Sequence, residues 1–485
     1  MRPQTPRVAY LTPLQPVESG ISQYSEDLIP WLASAVRLDV VVDGYAPTHA
    51  KMLGAARVRE ARRFDPRRYD ATLIHMGNSP AHNYMVPLLL AARTDGGGKG
   101  GKDPRPILVL HDVVLHHLMV WRAVLRRGGR EAYCREMQAR YGPAADAIAT
   151  QVLRGQNPPA MFDYPLNEDL IRAARLVVTH SPSAAAWVEQ LVPGAETRVV
   201  PMGVPAMMRG DRDAARARLG IGPETFAILS LGRVNPFKRM PAVFRALRRL
   251  ADAHPDVLLL IVGGDSPNYD LLRLARFAGV ERYVRRLGYV ADAELPDLFA
   301  AADVAVNLRY PTAGETSAAV LRLLAAGLPV IVTDTGAFAD FPDDAVLKVP
   351  PDAFEGETLV AYFRALATDV SFRHAVGANA RRFVAQEHSM ERAARGFLDI
   401  IASVTEKPVL PLIAPPTALK TPGAPRLATA GATPLVYTVE TTGDDPLLAP
   451  EAEALAALGL AEHAPTLRRL ATALHDVGLG KGRHR

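Results

Sequence analysis

Short runs of aliphatic and β-branched residues recur along the first ~200 positions, separated by stretches in which apolar residues return every three or four. Val8–Leu11, Leu38–Val42, Ala71–His75, Ile107–His111, Leu176–Thr179 and Arg198–Val200 read as short buried strands,. Ile21–Ala35, Leu115–Ala139 and Ser183–Leu191 carry helical periodicity between them,. After Pro205 the rhythm restarts, with strands predicted at Ala227–Leu231, Val257–Val262, Val284–Leu287, Val304–Asn307, Val330–Thr333 and Val346–Val349. Buried strands alternating with helices predict parallel α/β sheets, here in two similar halves.

The expected organisation follows from that restart. Residues 1–205 form a first Rossmann-like domain and 206–385 a second, and residues 386–404 add a further helix. Residues 405–450, rich in Pro, Thr and Ala, read as a linker, and 451–485 as an Ala/Leu-rich helical tail broken near Ala464-Pro465,. Gly96–Gly101 holds five glycines around Lys99 and reads as a surface loop,.

Composition narrows the classes. The chain has 485 residues, 48% hydrophobic and 22% charged, as ordinary globular proteins do,. One cysteine, Cys134, excludes a disulfide framework and any multi-cysteine metal site,. Apolar runs such as Val257–Val262 fall far short of the ~18 residues of a spanning helix,. The start of the chain leads straight into a strand pattern, so the expectation is a cytoplasmic protein,. A net charge of +5 with no zinc finger or long basic tract argues against a nucleic-acid partner,.

Candidate chemistry lies just after strands, where helix N-termini present free N–H groups to a crevice. Gly20 sits in a turn that opens a helix after the first strand,. His111-Asp112 ends a strand, with His116-His117 and the Gly77-Asn78-Ser79/His82 cluster near by in sequence. A histidine there can hydrogen-bond a substrate hydroxyl or steady charge; the spacing of 111, 116 and 117 matches no zinc signature. Arg233 and Lys238 follow the first strand of the second half, a fork and a point charge suited to a diphosphate,. Glu315 precedes a helix predicted over Ala318–Ala326, capped by Thr316 or Ser317 and stopped by Gly327 and Pro329,. A carboxylate there accepts hydrogen bonds from hydroxyls; it also satisfies a helix dipole.

Together these residues resemble the retaining glycosyltransferases of family 4, which have the GT-B fold of two Rossmann-like domains facing a central cleft. The resemblance spans approximately residues 7–404. It rests on Ser19-Gly20-Ile21, His111-Asp112, the segment Val199 to Val204, Gly232-Arg233 with Lys238, and the Glu315 segment with Gly327-Leu328-Pro329-Val330. It implies that Arg233 and Lys238 bind the diphosphate of a nucleotide-sugar donor, with Gly20 closing over it. It implies that His111 contacts the transferred sugar, and that Glu315 holds its hydroxyls with Thr316, Ser317 and Ala318 amides close by. The helix at 386–404 resembles the one that returns to the first domain in that family.

The family usually carries a second glutamate seven residues after the first, where this chain has Arg322. An arginine can pair with Glu315 or meet a phosphate, but it cannot accept hydroxyl protons as a carboxylate does. The expected reaction moves the sugar to a hydroxyl of a glycan, glycolipid or small molecule with retention, needing neither metal nor other cofactor. Alternatives are a nucleotide-sugar epimerase or hydrolase, and a non-catalytic nucleotide-sugar-binding protein. Trp121-Arg122, Arg126-Arg127 and Arg130, among Met119, Val120, Val124 and Leu125, form an apolar and basic stretch. It reads as a core-facing helix or as a peripheral contact with an anionic membrane, where a lipid-linked acceptor would wait.

Overall fold

A strand with no polar side has to be covered on both faces, which a parallel sheet between helix layers provides. Val257–Val262 is such a run, and all its residues are buried. The computed structural model describes residues 5–92, 103, 105–156, 158–264, 266 and 269–415. The first half builds a sheet from β1 (Arg7–Leu11), β2 (Arg37–Val42), β3 (Arg57–Glu60), β4 (Ala71–Met76), β5 (Ile107–Leu110), β6 (Leu176–Thr179) and β7 (Thr197–Val199). The second uses β8 (Phe226–Leu231), β9 (Val257–Val262), β10 (Val284–Gly288), β11 (Val304–Asn307), β12 (Val330–Thr333) and β13 (Leu347–Val349).

The strand orders are β3-β2-β1-β4-β5-β6-β7 and β10-β9-β8-β11-β12-β13. All the pairings are parallel: Tyr10 lies opposite Val40 and Leu73, and Ile228 opposite Leu259 and Val304. In each sheet the order reverses at the first strand, between β1 and β4 and between β8 and β11. A crevice opens at the carboxyl ends of strands on either side of such a switch point. These are two Rossmann-like halves facing one another.

Two expectations are corrected. β3 has no aliphatic run: Arg57 and Arg59 are exposed while Val58 and Glu60 are half-buried. It is an edge strand, where charged residues keep the open edge from pairing with other chains. The predicted helix Leu115–Ala139 is two helices, His116–Val124 and Gly129–Tyr141. They part at Gly128, whose φ of +67° ends helical geometry, and a side chain on Gly129 would strike the Ala123 carbonyl. The apolar side of the first piece is spent inside the protein: Val120 and Trp121 are buried, while Leu125, Arg126, Arg127 and Arg130 remain exposed.

Two helices tie the halves together. Helix α1 (Gly20–Ala35) starts at Ser19, whose Oγ accepts the Ser22 N–H at 3.0 Å,. The helix Met390–Thr405 packs on α1 and β4, with the Phe397 ring 5.7 Å from that of His75. One buried apolar cluster runs from Tyr10 and Leu28 through Phe397 to Leu321 and Leu324 in the second half. Beyond Thr405 the chain follows α1, where Leu410 N–H donates to Ala35 O at 3.0 Å. Gly96–Gly101, the linker from residue 416 and the tail at 451–485 lie outside the described residues. Among the described residues, no helix is long and apolar enough to cross a membrane.

Candidate active site

Beyond β8, a Cβ on Gly263 (φ +133°) would sit 2.3 Å from Gly232 O, so only glycine lets the β8 and β9 loops touch,. Their contact sets Arg233 beside Gly264, whose Cβ position lies 3.7 Å from the guanidinium. Lys238 is 7% exposed, and its Nζ donates to Asn307 Oδ1 at 2.9 Å. Asn307, at the end of β11, is fixed in turn by donating to Leu231 O at 3.0 Å. Burial first, then repulsion from Arg309, pull the Lys238 ammonium well below its usual pKa, with Glu315 opposing them,. A second anion at this place would relieve the desolvated charge.

Glu315 lies in the loop between β11 and the helix Ala318–Ala325, and its own loop occupies its carboxylate. Arg309 pairs with Oε1, while Thr312 Oγ1 and the Ala313 N–H each donate to Oε2 at 2.8 Å. Burial pushes this carboxyl up, but the Arg309 guanidinium overrides it and holds the group below its ordinary range. Ser317 is the cap, its Oγ accepting Val320 N–H at 3.4 Å. Ala318 is the first helical residue, and Thr316 Oγ1 is buried with no partner among the described residues. Arg322, two turns on, does not pair with Glu315. Glu315 precedes the helix in irregular backbone, so the same-face rule for seven helical steps does not apply. Arg322 meets Asp27 at 3.2 Å and Asp292 at 3.4 Å instead.

On the facing half, Gly20 is the first residue of α1, with nothing within 4 Å of where its Cβ would be. The residue itself is exposed. His111 lies 4% exposed, and its Nε2 is 3.0 Å from His75 Nδ1. Rings of His180 and Tyr24 pack on it at 4.7 and 5.4 Å. Among the described residues its Nδ1 is buried with no partner, as are His75 Nε2, His180 Nε2, His82 Nε2 and Tyr24 OH. Burial depresses all four histidines, His82 and His180 to about 4. These are neutral imidazoles that can donate or accept without adding charge.

Asp112 enters the sequence reading only as the neighbour of His111, with no role of its own. Its Oδ2 accepts the Asn78 N–H at 2.7 Å, and Asn78 is held by His117 Nδ1 at 2.9 Å. Burial and then repulsion by Glu315 raise its carboxyl to about 7, against the pull of Asn78 and Arg309. Only tertiary structure brings these carboxylates together. The next two residues seal the halves at that point: Val113 and Val114 N–H both donate to Ala313 O, at 2.7 and 2.9 Å. Asn307 and Arg309 were likewise visible only as neighbours of the motif. Among the described residues, no three His, Cys, Asp or Glu side chains are grouped to hold a metal ion.

The site thus sets cations and helix amides against a carboxylate pair and neutral histidines. Residues 211–383 match the family model of glycosyl transferases group 1. That stretch contains Arg233, Lys238, Glu315 and Arg322. The chain is 28% identical over 232 residues to D-inositol 3-phosphate glycosyltransferase of Rhodococcus opacus (strain B4), covering 46% of this chain and 49% of that protein. It is 33% identical over 159 residues to the enzyme of that name from Rhodococcus erythropolis, covering 31% of this chain and 33% of that one. The chain spans half or less of the length of these curated relatives. The fold of HepE from Anabaena, solved with UDP and glucose, matches with a TM-score of 0.58 at 16% identity, over 82% of this chain and all of that one. Sucrose-phosphate synthase from Thermosynechococcus elongatus matches with a TM-score of 0.56 at 17% identity, over 83% and 99%. With two Rossmann-like sheets and these neighbours, the fold is GT-B.

Proposed function

We propose that the protein is a retaining glycosyltransferase that moves a sugar from a nucleotide-diphosphate sugar to a hydroxyl of a glycan, glycolipid or small molecule. The observation that carries this reading is the buried Lys238 ammonium, which among the described residues has one protein acceptor and stands among the Arg233 loop, Glu315 and a capped helix N-terminus. The family match over residues 211–383 supports it, as do relatives named as glycosyltransferases.

In this reading Arg233, Lys238 and the amides at 316–318 and Gly20 take the diphosphate. Together they supply the positive charge that the leaving group needs, without a metal. His111 offers a neutral imidazole to a sugar hydroxyl. Glu315 holds sugar hydroxyls through lone pairs left beside its loop bonds, since each carboxylate oxygen has more than one. The acceptor oxygen bonds to the anomeric carbon on the face from which the diphosphate departs. The bond from that carbon to phosphate oxygen breaks, and the acceptor proton passes to the leaving phosphate. A peripheral contact with an anionic membrane would run through the exposed Leu125, Arg126, Arg127 and Arg130.

The test is thermal stabilisation by UDP, GDP, ADP and their sugar conjugates, on wild type and on Arg233→Ala and Lys238→Ala. A nucleotide at ~100 times its dissociation constant stabilises by about 2.7 kcal/mol. A base-selective rise that vanishes in both variants is expected, together with nucleotide release that requires an acceptor. Release without acceptor would mark a hydrolase, and binding without release a non-catalytic protein. No response to any nucleotide would overturn the donor site.

A further inference from the structure

Arg322 stands where the resembled family carries a carboxylate, and the structure shows what the exchange accomplishes. Its side chain is 8% exposed. One terminal nitrogen reaches Asp27 Oδ2 on α1, in the opposite half, at 3.2 Å. The other reaches Asp292 Oδ1, just past β10, at 3.4 Å. Gln23 Nε2, also on α1, donates to the second oxygen of Asp292. Gln23 and Asp27 are one helical turn apart and share a face of α1. Tyr24 and Leu28, on another face, are buried in the first half. One face of α1 is therefore anchored in its own half and a second is clasped to the other half by an Arg–Asp–Gln network.

A glutamate at 322 would put a third carboxylate against Asp27 and Asp292, so the arginine and Asp27 belong together. Among the described residues the Nε of Arg322 is buried with no partner, and the head group is held through its two terminal nitrogens. Breaking one partner of a buried ion pair is costly because the other charge stays desolvated. Both oxygens of Asp292 are engaged, so the network is directional as well as attractive.

We propose that Arg322 is a positioning residue: through Asp27 and Asp292 it fixes α1, and with it the Gly20 amide end, across the cleft from Arg233 and Lys238. The proposal rests on the donor site described above. It gives α1 a single docked position when the halves are closed, so the amides that face the diphosphate are placed before the donor arrives.

The experiment compares the full chain with Arg322→Gln, Asp27→Asn and the charge-reversed pair Asp27→Arg with Arg322→Asp. Hydrogen exchange of amides 20–27, without ligand, is read beside donor KM and kcat. Each single variant is expected to speed exchange across these amides about tenfold and to raise donor KM about tenfold, with kcat within a factor of about three. The reversed pair is expected to restore both. Unchanged exchange in folded single variants, or no recovery in the reversed pair, overturns the clasp. Should Arg322→Gln fail to fold, Gln23→Ala on the same face is expected to loosen the same amides, and its failure to do so counts equally against the clasp. Exchange that responds and recovers in a protein that turns over no nucleotide-sugar leaves the clasp standing and removes the transferase reading. Turnover with indifferent exchange does the reverse.

Discussion

Asp112 and Lys238 are titratable groups placed where water cannot fully reach them, and both carry predictions at the scale of single residues. The Asp112 carboxyl titrates at about 7 in the folded protein, against 3.8 ordinarily. Its folded form holds a proton that the unfolded chain releases. The stability this confers is complete below about pH 4 and drains away as pH rises toward 7. Asp112→Asn removes that slope, so the variant is expected to gain about 4 kcal/mol over wild type between pH 4 and pH 8, read from thermal midpoints. Lys238→Met exchanges a buried ammonium for an apolar side chain of similar length. Relief of the desolvated charge offsets part of the cost of leaving the buried Asn307 Oδ1 without its donor, so a loss of no more than about 1–3 kcal/mol is expected while the nucleotide response disappears,. A large loss of stability in that variant would mean that Lys238 is held for structure and not for an anion.

At the scale of elements, the loop between β11 and the helix Ala318–Ala325 is the part whose shape matters most. Gly314 adopts φ +82°, and a Cβ on it would lie 2.7 Å from Val113 of the other half and 3.1 Å from Trp187. Gly314→Ala is expected to cost about 2 kcal/mol, from the left-handed backbone and the clash together. It should also weaken nucleotide binding, because the same loop carries Glu315 and Thr316. Ser317→Ala removes only the cap and is expected to cost about 1 kcal/mol by denaturant midpoint, leaving the Glu315 bonds in place. The helix itself was legible in the sequence, since Ser317 and Gly327 bracket one apolar stretch. The partners of Glu315 were not. Arg309, Thr312 and Ala313 are close in sequence, but only the folded loop turns them back onto the carboxylate.

Across the whole molecule, the two halves meet through backbone, rings and ions at once: Val113 and Val114 on Ala313, Phe162 on Phe237 at 4.8 Å, and Arg322 on Asp27. Beneath the cleft, His75, His82, His111 and His180 are buried neutral, with folded pKa values below their ordinary 6.5. Neutral imidazoles stabilise fully above about pH 6.5, and that contribution is lost as pH falls through the folded values, about 4 for His82 and His180,. Acid unfolding is therefore expected to steepen between pH 6.5 and 4, and His180→Gln should flatten the slope in a urea titration at stepped pH. An unchanged slope would show that other groups govern the acid limb.

The alternation of buried runs with amphipathic stretches determined the two parallel sheets, because a strand with no polar face has few other places to lie. Punctuation by Ser317 and Gly327 set where a helix begins and ends, which is local chemistry that a sequence displays. β3 escaped notice because an edge strand needs no apolar run, and the break after Val124 because an apolar periodicity can continue across a kink. What only tertiary structure decided is which charges meet. Asp112 faces Glu315, and Arg322 faces Asp27, across some two hundred and three hundred residues of chain respectively. Coulomb interactions depend on distance through space and on exclusion of water, and neither quantity exists until the halves close.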